Sequence, residues 1–299
     1  RDLHSFPTRR SSDLSFCAIP LIRGGVRSRE VDEIVREIES FLEKGVVEFN
    51  LVAQDLGAYG KDLPRSEGLA GLVEKITRIP GRFWLRMLYI HPEHFPRDLV
   101  SLCRRDPRVL PYFDLPFQHA APGVLKAMGR SKSAEENLEL VLRIRAELPD
   151  AVLRSTFLVG FPGETERDFE ELLAFQKTAE FEWLGAFAYS PEEDTPAELL
   201  HRKRGLKVPK RTAEARKKLV QETQTSITER RLSRFVGRET DFLVEEIVRG
   251  ENLSLARGFM NAPEVDGLVV LNGASVPAGN MCRGRIIRRN GIDLEAVLL

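Results

Sequence analysis

The sequence predicts an α/β fold built around a parallel sheet or barrel, followed by a small all-β domain. Helical and strand-like segments alternate for about 175 residues after Ser15, which is typical of βα units. A basic helical stretch comes next. From Arg238 onward, short β-rich runs are separated by Gly, Asn and Pro, which indicates a small antiparallel barrel.

The first strong helix is predicted over residues 28–45. Apolar residues recur at three- and four-residue spacing between Val31 and Leu42, which is the pattern of an amphipathic helix. Ser28 is a suitable N-cap, and Gly45 ends the pattern.

The next elements continue the alternation. Strands are predicted over 46–53, 83–90, 111–115, 152–159 and 183–190. Helices are predicted over 68–79, 96–104, 133–148 and 164–180. Because the connections in such units are right-handed, the carboxyl ends of the strands share one rim, where catalytic groups gather.

The basic stretch HRKRGLKVPKRTAEARKK, residues 201–218, precedes a helix that we expect to begin at Pro209 and end near Arg234. Its ordinary interpretation is a solvated connecting helix. The small barrel that follows is of a kind that binds RNA or protein, although a purely structural role fits as well.

Composition excludes several classes of protein. The 299 residues carry 45 basic and 45 acidic side chains, so whole-protein attraction to nucleic acid is not predicted. A net charge of zero is still compatible with local charged patches. No apolar run approaches the roughly 20 residues of a membrane helix, and we expect no secretory signal. The three cysteines suggest a reducing, cytoplasmic setting.

Polar residues follow the predicted strands at three places. Gln54 and Asp55 come after the strand at 46–53, although such a pair is more often part of a turn. His119 lies in the loop DLPFQHA, where a lone histidine usually makes local hydrogen bonds. In TFLVGFPGETERDFEE, Gly160 and Gly163 precede a helix start; the segment fits a ligand-binding turn and a tight structural turn equally well.

Five motifs together resemble the radical S-adenosylmethionine (SAM) methylthiotransferases. They are FCAIPLIRGGVRSR, NLVAQDLGAYGKDL, DLPFQHAAPGVLKAMGR, FLVGFPGETERDFEEL and FAYSPEEDTPA. The C-terminal ARGFMNAPEVDG resembles the TRAM domain that closes these enzymes. The resemblance covers Ser15 to Leu299 and implies a partial (βα)6 radical SAM barrel over 15–235 and a TRAM domain over 236–299.

The motifs resemble the RimO branch most, which methylthiolates the β-carbon of an aspartate in small-subunit ribosomal protein twelve. The tRNA-modifying branch has GQN-type, LPVQSGS-type and RPGT-type sequences where this chain has AQD, LPFQHAA and PEEDT. Asp194 departs from the glycine expected at its position, which alters a turn without changing the branch. The tRNA-modifying branch remains the alternative enzyme.

The resemblance implies a 4Fe–4S cluster held by three cysteines spaced C-x3-C-x2-C, with SAM on the open iron. Cys17 matches the third cysteine, but Arg10 and Leu14 stand where the other two belong. Cys103 and Cys282 lie in unrelated segments. The intact family member also has an N-terminal domain with a second cluster.

We therefore expect residues 1–14 to be foreign to the family and the chain as written to be inactive. A non-catalytic remnant that binds protein or RNA through its TRAM domain is the alternative from another class. The resemblance also implies which residues surround SAM: Gln54, Asp55, Gln118, His119, Gly160 and Gly163. It further implies a ribosomal protein as substrate, protein or RNA contact through the TRAM domain, and no membrane.

Overall fold

A computed structural model of the chain describes residues 14–64, 66–273 and 276–299. Its first sheet has five strands in the order in which they occur in the sequence, and every neighbouring pair is parallel. The strands are β1 (Glu48–Val52), β2 (Trp84–Leu88), β3 (Val109–Asp114), β4 (Val152–Val159) and β5 (Trp183–Ala188). The predicted parallel α/β architecture is confirmed, and all five predicted strands are present.

Nine α-helices lie in the described part of the chain. They are α1 (Ile19–Arg23), α2 (Val31–Glu43), α3 (Gly68–Thr77), α4 (Asp98–Arg105), α5 (Pro122–Met128), α6 (Ala134–Glu147), α7 (Glu166–Ala179), α8 (Pro196–His201) and α9 (Lys210–Ser233). The short helices α1, α5 and α8 were not predicted. The N-cap of α2 is Glu30 instead of the predicted Ser28, whose hydroxyl accepts a hydrogen bond from the Gly60 N–H at 2.8 Å.

One face of the sheet is buried beneath helices. Leu85, Met87, Phe113, Leu153 and Phe157 have no measurable exposure and belong to the main hydrophobic core. The helices α6 and α7 both begin with capping boxes, in which a Ser or Thr side chain and an acidic side chain satisfy the first backbone N–H groups. This core fixes the positions of the strand ends.

Helix α9 covers the outer side of the edge strand β5. Gln224 Nε2 donates a hydrogen bond to the Phe181 carbonyl at 2.7 Å, and Thr228 Oγ1 donates to the Glu182 carbonyl at 2.7 Å. The buried Glu182 carboxylate also pairs with Arg231 at 2.7 Å. These contacts protect the edge, as sheet proteins require.

The second sheet is a closed barrel in the order β10-β8-β7-β6-β9. Its strands are β6 (Glu239–Ile247), β7 (Leu253–Gly258), β8 (Val269–Asn272), β9 (Met281–Asn290) and β10 (Asp293–Leu298). One pair, β8 and β10, is parallel and the other four pairs are antiparallel. The predicted small all-β barrel is therefore confirmed.

The barrel packs against the amino ends of the parallel strands. Trp84, Tyr112 and Trp183 share one hydrophobic cluster with the barrel interior. Trp183 Nε1 donates to the Met260 carbonyl at 2.8 Å, and Tyr112 Oη donates to Asp266 Oδ2 at 2.6 Å. The contact is thus apolar in its bulk, and each of these two buried rings has its polar atom satisfied by the barrel.

A buried ionic network crosses the same contact. The Glu48 carboxylate accepts from Arg86 Nε at 2.9 Å and from Arg257 of β7 at 2.6 Å. Arg86 has no measurable exposure and also donates to the Phe259 carbonyl at 2.9 Å. Burial favours the protonated form of Glu48. The hydrogen bonds and positive charges of the two guanidinium groups outweigh this effect and lower the pKa of Glu48. Strand β1 and the barrel are therefore joined through one carboxylate.

None of the helices in the described ranges combines the length and the apolar character that crossing a membrane requires.

Candidate active site at the carboxyl rim

Five loops meet at the carboxyl ends of the parallel strands. They begin at Ala53, Tyr89, Leu115, Gly160 and Tyr189, directly after β1 to β5. Five non-glycine residues of the described chain have a positive φ, and three of them, Tyr89, Gln118 and Asp194, lie in these loops. Such backbone strain concentrates where function constrains the chain.

Asp55 fastens the first loop to the second. Its Oδ1 accepts hydrogen bonds from the backbone N–H groups of Gly57 and His91, each at 3.0 Å. Its Oδ2 lies 2.5 Å from His94 Nδ1. Burial opposes ionisation, but the hydrogen bonds from His94 and His91 lower the pKa of Asp55. The neighbouring Gln54 side chain is exposed at the end of β1.

Arg130 fastens the second loop to the third. Its guanidinium group donates to His91 Nε2 and, at 2.8 Å, to the Pro116 carbonyl. Burial, together with the positive charge of Arg130, lowers the pKa of His91 to about 3, so this imidazole is neutral near pH 7. Asp55 therefore holds the backbone of His91, Arg130 holds its imidazole, and together these residues connect three loops.

Gln118 and His119 are both buried in the third loop. Gln118 has a φ of 71° and exchanges backbone hydrogen bonds with β4, donating to Thr156 and accepting from Leu158, each at 2.8 Å. His119 Nδ1 accepts from the Ala121 N–H at 3.1 Å. His119 Nε2 has no hydrogen-bond partner in the described structure and lies 3.6 Å from Glu164 Oε2.

The glycine turn after β4 is organised by Glu164. Oε2 of this buried carboxylate accepts the N–H groups of Gly160 and Phe161 at 2.6 and 3.1 Å. Oε1 accepts from Arg216 of α9 at 2.7 Å. The backbone donors that the sequence offers to a ligand at Gly160 and Phe161 are thus engaged by a side chain of the same turn.

Both glycines have a positive φ, and Gly160 is also closely packed against α9. At Gly160, φ is 74°, and a β-carbon would lie 2.3 Å from the Ala213 β-carbon. At Gly163, φ is 88°, and its N–H donates to the Leu206 carbonyl at 2.7 Å. The positive φ values and the approach of α9 require glycine.

Cys17 lies at the edge of the same rim. The preceding Ser15 donates its N–H to Met128 and its hydroxyl to Ala127, at 2.9 and 2.6 Å. The ring of Phe16, next to Cys17, packs edge-on against Phe161 of the glycine turn with the ring centroids 6.4 Å apart, so this segment lies beside the turn after β4.

The other cysteines lie elsewhere. Cys103 is buried in α4 with its thiol 3.7 Å from the Leu110 carbonyl, and burial raises its pKa to about 12. Cys282 belongs to β9 of the barrel. Neither can join Cys17 in a common ligand set.

The described donor set does not fit a cluster held by three thiolates. Among residues 14–64, 66–273 and 276–299 no group of three or more His, Cys, Asp or Glu side chains could hold a metal ion. Leu14 has no donor atom, and Arg10 lies outside the described residues. Cys17 is therefore a lone thiol at the rim, and the described residues place no second thiol beside it.

The rim contains residues that the sequence did not single out. His91 and His94 contact Asp55 but lie in a segment without a recognisable motif. Arg130 ends the motif DLPFQHAAPGVLKAMGR, and Arg216 lies in the basic stretch 201–218, but neither pattern marks these side chains as contacts of the rim loops. Glu164 was visible within GFPGE as an acidic residue at a helix start. Its hydrogen bonds back to the turn could not be anticipated from that pattern.

Comparison with known families agrees with this arrangement. Residues 15–175, more than half of the chain, match the Radical SAM superfamily, and residues 236–299 match the TRAM domain. Three similar relatives carry the name ribosomal protein uS12 methylthiotransferase RimO. The Treponema denticola protein is 47% identical over 95% of this chain, that of Sorangium cellulosum 42% over 95%, and that of Thermotoga petrophila 43% over 87%.

The chain spans 66%, 59% and 59% of the length of these three relatives. The superfamily implies a 4Fe–4S cluster and SAM as cofactors. With its parallel sheet, its rim of polar loops and its terminal barrel, the chain belongs to the radical SAM superfamily and carries a TRAM domain.

Proposed function

We propose that the protein is a methylthiotransferase that modifies an aspartate β-carbon of ribosomal protein uS12, in the cytoplasm. The observation that carries this proposal is the 47% identity over 95% of the chain to a protein of that name. The motif residues Gln54–Asp55 and Gln118–His119, which favour this branch over the tRNA-modifying one, both lie at the rim.

In this proposal residues 15–235 form the radical SAM core, and residues 236–299 form a TRAM domain that contacts the ribosomal protein or RNA. Gln54, Asp55, Gln118, His119, Gly160 and Gly163 surround SAM. Buried polar atoms without a hydrogen-bond partner support a polar ligand here, because such atoms are normally satisfied. At the rim they include His119 Nε2, Arg130 Nε and Tyr189 Oη.

The roles of the chain's own residues follow from their contacts. Asp55, His91 and Arg130 set the distance between the first three loops, and Glu164 fixes the shape of the glycine turn. Gln54, whose side chain is exposed, is free to reach a ligand. These are binding and positioning roles, and none of them depends on the cluster.

Cluster chemistry requires more than this chain supplies. Cys17 provides one thiolate, whereas the superfamily's cluster takes three. We therefore propose that the chain as written does not methylthiolate, and that an intact protein has two further cysteines before Cys17 and a second cluster in an additional domain. The absence of those thiolates favours a second candidate function, a non-catalytic protein that binds through its TRAM domain.

Anaerobic reconstitution with iron and sulfide separates the two candidates. We would reduce the unaltered chain and an Arg10→Cys/Leu14→Cys variant with dithionite after reconstitution and compare them by electron paramagnetic resonance, with and without SAM. A 4Fe–4S signal that appears only in the double variant and shifts with SAM supports the proposal. A matched control adds Cys17→Ala to the double variant and should abolish the signal.

The other outcomes count against the proposal in distinct ways. Failure of both chains to form a cluster leaves the binding protein as the better candidate. A cluster in the unaltered chain would show that Cys103 or Cys282 acts as a ligand, and that our assignment of Cys17 alone is wrong.

A further inference from the structure

Five exposed cations lie in the turn between α8 and α9 and in the first two residues of α9, and none of them has a carboxylate partner in the described structure. We call these residues the basic turn: Lys203, Arg204, Lys207, Lys210 and Arg211. Neighbouring cations do have partners, since Arg202 pairs with Glu198 and Lys218 with Glu222. The basic turn is therefore a local surplus of positive charge on a chain whose net charge is zero.

The barrel's most basic strand differs in this respect. In β9, Arg283 pairs with Asp241, Arg285 with Glu239, Arg288 with Glu295 and Arg289 with Glu229. Each of these arginines has a carboxylate within 4 Å. An approaching anion would have to compete with those carboxylates at β9, whereas the basic turn is available to it directly.

Helix α9 begins in a way that its own stability does not explain. Its N-cap is Pro209 without a side-chain hydrogen bond, no acidic residue lies in its first turn, and its first two residues are Lys210 and Arg211. Cations at a helix N-terminus oppose the helix dipole. The helices α6 and α7, in contrast, begin with acidic residues and capping boxes.

The basic turn is fixed beside the candidate active site. The Leu206 carbonyl accepts the Gly163 N–H at 2.7 Å, and Ala213 packs against Gly160. Leu206 and Val208 are half-buried. A partner that brings its reactive segment to the rim therefore passes close to these five cations.

We propose that the basic turn binds the phosphate backbone of an RNA strand that surrounds the protein substrate. The proposal rests on the proposed function, because a ribosomal protein reaches the enzyme either free or within an RNA particle. RNA is favoured over an acidic protein because every exposed charged side chain between residues 202 and 211 is cationic. Phosphate contacts need little else, whereas protein interfaces need an apolar centre.

Nearby acidic residues limit the surface. Glu192, Glu193 and Asp194 are exposed before α8, and the α8 residue Ala197 donates its N–H to Ser15, two residues from Cys17. These carboxylates repel phosphate. The RNA path is therefore confined to the α8–α9 side of the rim, and the acidic loop faces the side of Cys17.

The test is fluorescence anisotropy of the full chain with a fluorescein-labelled RNA of about 20 nucleotides and mixed sequence. Five phosphate contacts to a single strand give a slope of about −3.5 for log K against log [salt]. Affinity should then fall about 100-fold between about 50 and 200 mM NaCl. Changing Lys203, Arg204, Lys207, Lys210 and Arg211 to Gln should weaken binding at least about tenfold at the lower salt and flatten the slope.

The matched control is Arg283→Gln/Arg285→Gln/Arg288→Gln/Arg289→Gln, which should keep most of the affinity and the slope. Unchanged binding by the five-fold variant, or a larger loss in the control, overturns the proposal in favour of the barrel. Equal displacement of the RNA by polyglutamate of the same charge overturns it in favour of an acidic protein partner. Circular dichroism confirms that both variants are folded.

This experiment is independent of the cluster. RNA binding is measured on the unaltered chain, so failure to reconstitute iron and sulfide does not affect the result. Conversely, if the unaltered chain does not bind the RNA while the Arg10→Cys/Leu14→Cys variant forms a cluster, the basic turn is rejected and the proposed function stands.

Discussion

At the amino ends of the parallel strands, buried side chains are paired with the barrel, whereas at the carboxyl ends they are held by strained loops. Trp84, Trp183 and Glu48 are covered by barrel residues and have regular strand backbones. Tyr89 and Gln118 have φ values of 63° and 71°. The amino end therefore contributes stability, and the rim uses part of that stability to maintain an unfavourable geometry.

The largest expected loss of stability follows from removing the carboxylate that joins the two domains. Glu48→Gln keeps the shape but leaves the buried Arg86 without its anionic partner, and we expect a loss of about 3–5 kcal/mol in the free energy of unfolding. Urea unfolding of the variant and the unaltered chain measures this loss. The control is Glu239→Gln, which removes the exposed pair with Arg285 and should not change the midpoint measurably. Equal effects would show that burial of the network contributes nothing.

The second prediction concerns the glycine turn. Gly160→Ala places a methyl group against Ala213 at a positive φ. Left-handed strain and overpacking together should lower the free energy of unfolding by about 2–4 kcal/mol. Gly205→Ala has the same kind of φ, at 84°, and no atom within 4 Å, so it should cost only about 1–2 kcal/mol. Urea midpoints of the two variants compare these costs. If both lose the same amount, α9 does not press on the rim.

The third prediction uses pH. Burial raises the pKa of Asp266 to about 6, against the hydrogen bond from Tyr112. The folded protein then binds this proton more tightly than the unfolded chain does, so stability falls as pH rises from about 4 to about 6. Asp266→Asn should remove this loss and be more stable than the unaltered chain by up to about 3 kcal/mol at pH 7.5.

Thermal unfolding across that pH range checks the Asp266 prediction. The difference in stability between the two proteins should shrink to less than about 1 kcal/mol by pH 4, where the aspartate is protonated in the folded state and about half protonated in the unfolded state. A difference that stays constant with pH would mean that the substitution acts through packing and that the charge at the domain contact is already compensated by Arg154, whose Nε lies 3.7 Å from Asp266 Oδ1.

The smallest expected effect is at Asp194, which has a φ of 61° and is exposed. Asp194→Gly relieves the left-handed strain and should stabilise the chain by less than about 1 kcal/mol. Glu193→Gly, at a neighbouring residue without positive φ, should destabilise it by about 0.5–1 kcal/mol. Calorimetric midpoints of the two variants should therefore move in opposite directions.

The order and type of the main elements could be predicted because periodicity is a local property. Residues 28–45, 133–148 and 164–180 showed helical spacing, and the structure has α2, α6 and α7 there. The helices α1, α5 and α8 are 5–7 residues long, too short for periodicity to reveal, although each has a proline in its first turn. The family resemblance marks Asp194 as a position for glycine, and its φ of 61° agrees with that expectation.

The contacts that hold the rim together could not be predicted from the sequence. Arg216 reaches Glu164 across 52 residues, and Arg257 reaches Glu48 across 209. Both are side-chain contacts between distant segments, and a single sequence has no local pattern that marks them. The sequence thus indicated where the polar loops would lie and left open which side chains would hold them in place.

The pairing of Glu48 with Arg257 also bears on how this chain can be divided. Family boundaries separate the barrel from the sheet, yet the two share one apolar cluster and one charged network. A fragment ending after α9 would expose Trp84 and Trp183 to solvent, and its Glu48–Arg86 pair would lose Arg257. We expect such a fragment to be prone to aggregation. The two parts thus match separate family models, but the sheet needs the barrel to cover its apolar surface.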